Sequence, residues 1–263
     1  IMRADERTGD GAIAGAALVT GGARRIGRAI VEALAAAGRP VAIHCRRSVD
    51  EAAALARRIE SAGGRAAVVT ADLADPAGFE PMFDAAEAAL GPIGILVNNA
   101  SMFEDDAVET LHPALLQAHM TVNLTAPCLL AATMARRLPA AAGGLVVNIV
   151  DQRVLKPSPP FFSYGLSKAG LWWATRTMAQ ALAPRVRVVA LAPGPTLKSA
   201  RQSDEDFRRQ TESVLLGHGP DLAEFGRTIQ WLVDTPSVTG QLIALDGGQH
   251  LAWRTPDVDG IRE

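Results

Sequence analysis

The sequence predicts an α/β protein: a single-domain, doubly wound parallel sheet flanked by helices. Short runs rich in Val, Ile and Leu alternate with longer stretches of helical spacing at least six times along the chain. Several runs are apolar without polar alternation, the pattern of strands buried on both faces. No linker interrupts the alternation, so one domain is expected over residues 16–253.

Residues 1–15 are Gly- and Ala-rich with scattered charge and read as a poorly ordered arm. Strands are expected at 17–20, 41–45, 66–70, 95–98, 145–150, 186–191 and 242–245. Helices are expected at 26–37, 50–62, 76–90, 112–138, 163–182 and 221–233. Gly38, Gly63-Gly64, Gly91-Pro92 and Gly143-Gly144 punctuate helix ends. The segment 198–219 is polar and weakly patterned, and it follows a strand. It reads as a substrate lid or as a plain surface helix. Residues 254–263 read as a tail.

Composition excludes several function classes. The 263 residues carry a formal net charge of −2, so there is no global basic field for nucleic acid or an acidic membrane. At 48% apolar residues the chain can build a core without staples. Cys45 and Cys128 make no disulfide framework, and a reducing, cytoplasmic compartment is expected. No uninterrupted apolar run approaches the roughly 18 residues of a membrane span. Asp5, Glu6 and Asp10 break the N-terminus where a leader's apolar core would lie, so no signal peptide is expected. The five histidines show no metal-ligand spacing, and no metal is expected.

The first strand leads into Thr20-Gly21-Gly22-Ala23-Arg24-Arg25-Ile26-Gly27 and then a helix. Strand, glycine-rich turn and helix N-terminus form a pyrophosphate cradle, because glycine admits close backbone approach and the helix amides favour an anion. The second strand ends His44-Cys45-Arg46-Arg47-Ser48, with no acid until Asp50. An acid there would hold the ribose hydroxyls of NAD; two guanidiniums and a hydroxyl suit a 2′-phosphate instead, with Arg24 as a third cation. NADP(H) is the expected cofactor, and a solvated strand end is the plainer alternative for Arg46 and Arg47. Tyr164 and Lys168 stand four apart, on one face of a helix. A nearby ammonium lowers a phenol's pKa from about 10 toward neutrality, which makes a usable proton donor or acceptor. Tyr164 is the only tyrosine in the chain.

Together these residues resemble the short-chain dehydrogenase/reductase superfamily over 17–248. The set also includes Asp72-Leu73, Asn98-Asn99-Ala100-Ser101, Asn123, Pro193-Gly194 and Asp246-Gly247-Gly248. The resemblance implies a Rossmann-type fold and a homodimer or homotetramer. It implies that Asp72 and Leu73 contact adenine, that Asn99 and Ala100 line the cofactor, and that Lys168 also holds the nicotinamide ribose. Asn123 would support a proton relay, and Pro193 and Gly194 would flank the nicotinamide. The expected cofactor set is Gly21, Arg24, Arg25, Ile26, Gly27, His44, Arg46, Arg47, Ser48, Asp72, Leu73, Asn99, Ala100, Ser101, Tyr164, Lys168, Pro193 and Gly194.

Three departures narrow the reading. Arg25 replaces the turn's middle glycine, Asp151 stands where the catalytic serine would be, and Phe103 follows the Asn-Asn-Ala-Ser motif. These, with the His-x-x-Arg-Ser strand end, resemble the pteridine reductases and dihydromonapterin reductases. That subgroup implies reduction of a 7,8-dihydropterin, with dihydrofolate as a further candidate. Arg25 would touch cofactor phosphate and pterin, Phe103 would stack on the pterin, and Ser101 would contact the cofactor. Asp151 beside Tyr164 raises the phenol's pKa, which suits reduction of a ring C=N better than alcohol oxidation. Asp151, Tyr164, Lys168 and Asn123 are the expected catalytic group; Arg25, Ser101, Phe103, Asp151 and Tyr164 are the expected substrate contacts. Two alternatives stand beside this: a reductase of 3-oxoacyl thioesters or sugars, and a non-catalytic NADP(H)-binding regulator. Trp172 and Trp173 are expected in the core or at a subunit contact. His250, Leu251 and Trp253 are expected to cap a pocket or to form a loose tail.

Overall fold

The computed structural model describes residues 13, 15–199, 201–255 and 259. Seven parallel strands form one sheet: β1 (Ala16–Val19), β2 (Val41–Cys45), β3 (Ala66–Thr70), β4 (Ile93–Asn98), β5 (Gly144–Ile149), β6 (Val186–Pro193) and β7 (Leu242–Leu245). Their order is β3-β2-β1-β4-β5-β6-β7. Every residue of β1, β2, β4 and β5 is buried, which is why these runs lack polar alternation. β4 starts two residues before the expected 95, since Ala16 pairs with Ile93 across a register shift. β6 runs on to Pro193, which pairs with Leu245.

The helices are α1 (Arg25–Ala36), α2 (Val49–Ser61), α3 (Phe79–Leu90), α4 (Pro113–Met120), α5 (Ala126–Arg137), α6 (Phe162–Leu182), α7 (Asp204–Glu212) and α8 (Leu222–Asp234). Two apolar cores sandwich the sheet. On one face Ile30 and Leu34 of α1, Leu55 of α2 and Ile229 of α8 pack on the strands. On the other, Phe83 of α3, Leu130 and Met134 of α5 and Ala179 of α6 do so.

The helix expected over 112–138 is not continuous α-helix. One π turn, Thr121–Thr125, separates α4 from α5. Pro127 has no N–H for the carbonyl four residues back, that of Asn123, and its ring crowds that carbonyl, which accounts for the widened turn. The combined stretch Pro113–Arg137 is long and apolar enough to cross a membrane. Its apolarity is accounted for by the sheet, since Leu130, Ala131 and Met134 are at most 1% exposed in the second core.

Of the expected arm, 1–12 and 14 lie outside the described residues, as do 256–258 and 260–263 of the expected tail. Ile13 bridges Gly143 and packs against the first core. In the segment 198–219, Ser203 caps α7 with its side chain, and Ala200 lies outside the described residues. Strand order reverses between β1 and β4, and a crevice opens beyond the carboxyl ends of strands at such a point.

Candidate active site

That crevice is a cavity of about 950 Å³, lined by the turn after β1, the loops after β4 and β5, the start of α6 and the segment after β6. At one end stands the glycine turn. Gly21 adopts φ +62°, the left-handed region. A side chain at Gly27 would meet the Gly21 carbonyl oxygen at 2.3 Å and Asn99 Nδ2 at 2.5 Å. Thr20 Oγ1 accepts from the amides of Asn99 (2.9 Å) and Ala100 (3.0 Å), while Asn99 Nδ2 donates to the Thr20 carbonyl at 2.9 Å. The β1 and β4 loops are thereby locked together under the turn.

His44 supports the turn from below. Its Nδ1 accepts from the Gly21 amide at 3.2 Å, so Nε2 carries the proton and donates to the Ala71 carbonyl at 3.1 Å. Burial pushes its pKa down, with the Ala71 bond and Asp72 opposing. His44 lines the cavity, but both ring nitrogens are already used. Arg24 pairs with Glu51, and Arg46 lies 3.6 Å from Asp72; both arginines line the cavity. Arg47 and Ser48 do not line it: Arg47 is exposed, and Ser48 stands at the start of α2.

Arg25 keeps the left-handed conformation of the glycine it replaces, at φ +53°. A side chain is strained in that region. Its guanidinium donates to the carbonyls of Leu197 and Lys198, each at 3.1 Å, and so ties the turn to the segment after β6. Arg201 completes the tie from the other side, donating to the Phe103 carbonyl at 3.0 Å and pairing with Glu104.

At the opposite end, the Tyr164 hydroxyl donates to Asp151 Oδ2 at 2.9 Å. Burial raises the phenol's pKa well above 10, Asp151 raises it further through charge and hydrogen bond, and Arg153 offsets part of this. The expected lowering by Lys168 is therefore not what governs Tyr164. The Lys168 ammonium donates to the Ile149 carbonyl at 2.8 Å and lies 5.7 Å from the centre of the phenol ring. Burial brings its pKa down to about 8, with Asp151 opposing.

Asn123 lies in the π turn and does not line the cavity. Its Oδ1 accepts from the Met102 amide at 2.8 Å, and its Nδ2 donates to the Met102 carbonyl (2.9 Å) and Ser167 Oγ (3.1 Å). Ser101 Oγ donates to Asn123 Oδ1 at 3.2 Å. The side chain thus holds the loop carrying Ser101 and Phe103 against the helix carrying Tyr164. Phe103 meets Tyr164 edge-on at 4.7 Å, and one of its faces is stacked on Phe161 at 4.4 Å. Asp72, Leu73, Asn99, Ala100, Pro193 and Gly194 also line the cavity, as do Ile26 and Ser101.

Three residues at this end were not expected from the sequence. Arg153, two residues past Asp151, pairs with it at 3.2 Å. Phe161, one helical turn before Tyr164, is left-handed at φ +61°. Asp106 is buried and accepts from the Ser163 amide at 3.0 Å and from the Ser163 hydroxyl, while its carbonyl accepts from the Phe161 amide at 2.8 Å. The spacing of Phe161 from Tyr164 was a usable signal; nothing local marks Asp106. His250, Leu251 and Trp253 do not line the cavity, and the His250 ring is bound to Asp246. Trp172 packs beside Val150 and Leu171, whereas Trp173 is 62% exposed.

Comparison with known proteins places this geometry. Residues 15–209 match the short chain dehydrogenase family. A crystal structure of FolM alternative dihydrofolate reductase 1 from Brucella canis, complexed with NADP, is 56% identical with a TM-score of 0.91, covering 94% of this chain and 98% of that one. An uncharacterized oxidoreductase of Mycobacterium tuberculosis is 34% identical over 93% of this chain and 90% of its own length. A 3-oxoacyl-[acyl-carrier-protein] reductase of Synechocystis is 30% identical over 88% of this chain and 95% of its own. With a family match over most of the sequence and these relatives aligned along nearly all of it, the chain belongs to the short-chain dehydrogenase family.

Proposed function

We propose that this chain is an NADPH-dependent reductase of a pterin-like ring, taking a 7,8-dihydropterin to the tetrahydro form, with dihydrofolate as a second candidate. The observation that carries the reading is the Asp151 carboxylate on the Tyr164 hydroxyl at 2.9 Å. A carboxylate there opposes phenolate, so the pair is poorly suited to taking a proton from an alcohol. It is suited to keeping a proton on the phenol and passing it to a ring nitrogen. The Brucella canis neighbour, described as a dihydrofolate reductase complexed with NADP, supports the same reading.

The glycine turn fits a dinucleotide, because a Cβ at Gly27 would fill the cradle between Gly21 and Asn99. Gly21, Arg25, Ile26 and Gly27 would hold the pyrophosphate, Arg24 and Arg46 the 2′-phosphate, and Lys168 the ribose. When bound, NADPH supplies a hydride for the carbon of a ring C=N bond. Tyr164, whose hydroxyl donates to Asp151 in this structure, would give up that proton to the nitrogen. Asp151 disfavours a standing phenolate, so the proton is replaced as it leaves. Lys168, with its pKa near 8, is the neighbouring group able to release one near neutrality. Phe103 offers a face to a flat ring, while Arg25 holds the Leu197 and Lys198 carbonyls and Arg201 the Phe103 carbonyl beside it.

NADPH oxidation is measured with dihydrobiopterin, dihydromonapterin and dihydrofolate, beside ketones and 3-oxoacyl thioesters. Pterin turnover well above every carbonyl is the expected result. The reverse result supports a carbonyl reductase, the reading favoured by the Synechocystis relative. NADPH binding without any turnover supports a regulator. The same reading carries a cytoplasmic homodimer or homotetramer with the exposed Trp173 at a contact, which light scattering checks.

A further inference from the structure

The cation beside Asp151 has no part in the mechanism above. Arg153 lies in a single 3₁₀ turn, Gln152–Val154, that Asp151 caps. Its amide donates to Asp151 Oδ1 at 2.9 Å, and its Nη1 stands 3.2 Å from Oδ2 and 3.4 Å from Oδ1. With the Tyr164 hydroxyl on Oδ2, three donor groups engage the carboxylate, and about one of its roughly four acceptor positions stays open to a further N–H. The side chains of the pair are only 22% and 15% exposed, so water screens the pairing weakly. The guanidinium carbon also lies 5.9 Å from the centre of the Phe103 ring and 5.4 Å from that of Phe161. One cation therefore faces both the carboxylate and the aromatic rings beside which a flat substrate would lie. Its Nε is buried and has no hydrogen-bond partner among the described residues.

We propose that Arg153 determines which rings this site accepts: paired with Asp151, it leaves the carboxylate receptive to neutral N–H donors and unfavourable to a ring that arrives as a cation. The proposal rests on the pterin reading. A 2-amino-4-oxo ring brings neutral donors and leaves the ion pair intact. A 2,4-diamino ring is the stronger base and binds a carboxylate as a cation, which would have to share Asp151 with Arg153. Tyr164, Arg153 and Lys168 are the charged or titratable groups that act on or pair with this carboxylate. Of the three, only Arg153 holds a full cation in direct contact with it.

The test supplies NADPH and uses two probes, 7,8-dihydro-6-methylpterin as substrate, read as KM, and 2,4-diamino-6-methylpteridine as competitor, read as its inhibition constant. Arg153→Met and Arg153→Gln remove the charge, Arg153→Lys keeps it, and thermal melts confirm that each variant is folded. Relative to dihydropterin, the diaminopteridine should gain about tenfold in affinity in the uncharged variants, the equivalent of one pKa unit of interaction. The gain should grow as pH falls and the ring protonates, and Arg153→Lys should restore most of the wild-type ratio. Equal weakening of both probes makes Arg153 merely structural and overturns the proposal while the pterin reading stands. A wild-type protein that neither reduces the dihydropterin nor binds the diaminopteridine overturns both.

Discussion

At Gly21 and Gly27 the cavity wall is backbone without side chains, and one methyl group added at Gly27 would collide with a carbonyl oxygen at 2.3 Å. Around Tyr164 it consists of side chains: Phe103 from the loop after β4, Asp151 and Arg153 from the loop after β5, and Phe161, Tyr164 and Lys168 from the start of α6. The glycine cradle of the first end relies on amides and a helix terminus, which no substitution retunes without displacing the chain, while Arg24, Arg25 and Arg46 add side-chain charge beside it. The second obtains it from charges placed within hydrogen-bond reach, so single substitutions change what it does. Family-wide cofactor use and subgroup-specific chemistry can therefore coexist in one cavity.

Asp151→Ser is the sharpest way to separate the two ends. Dihydropterin turnover should fall by about 10²–10⁴-fold, the worth of a positioned acid–base group, while NADPH affinity measured by fluorescence stays nearly unchanged. Parallel losses in both would show that the ends are coupled and would break the comparison.

Lys168 tests what the side-chain end costs the fold. Its pKa is about 8 in the folded chain against 10.5 for a free lysine. Below pH 8 both states are charged, and burying the ammonium opposes folding. Between about pH 8 and 10.5 the unfolded chain binds more protons, so stability rises with pH. Compared with Lys168→Met across that window, wild type should gain about 3 kcal/mol in urea unfolding. Over the same range kcat/KM should fall as the ammonium is lost. A flat difference between the two proteins would mean that Lys168 is solvated.

Gly27→Ala tests the backbone end and carries the smallest effect. Overpacking should cost about 1–3 kcal/mol and weaken NADPH binding, with the pH profile of turnover unmoved. A shifted profile would show that the turn reaches the proton-transfer groups.

Legibility in the sequence followed the same division. The turn, the strand ends and the Tyr164–Lys168 pair are local patterns, readable because period and spacing fix which residues share a face. The seven strands lie within two residues of their expected bounds. The long helix was misjudged at Asn123, although Pro127, four residues on, was the available signal. Arg47 and Ser48, expected beside Arg46 in the cofactor set, follow the end of β2 and do not line the cavity.

By itself the sequence determined the parallel sheet, the glycine cradle and the substitution of Asp151 for serine. The sheet and the cradle follow from neighbours along the chain, where hydrophobic period and backbone freedom act locally, and Asp151 was read from the spacing to Tyr164 in the family the sequence resembles. Only the tertiary structure decided the charge balance at Tyr164. Burial and Asp151 outweigh Arg153 there, and the Lys168 ammonium is directed at the Ile149 carbonyl. It also decided that Asp106, far away in sequence, satisfies the start of α6. Desolvation and Coulomb energies depend on what surrounds a group in space, and that is fixed only when distant segments pack.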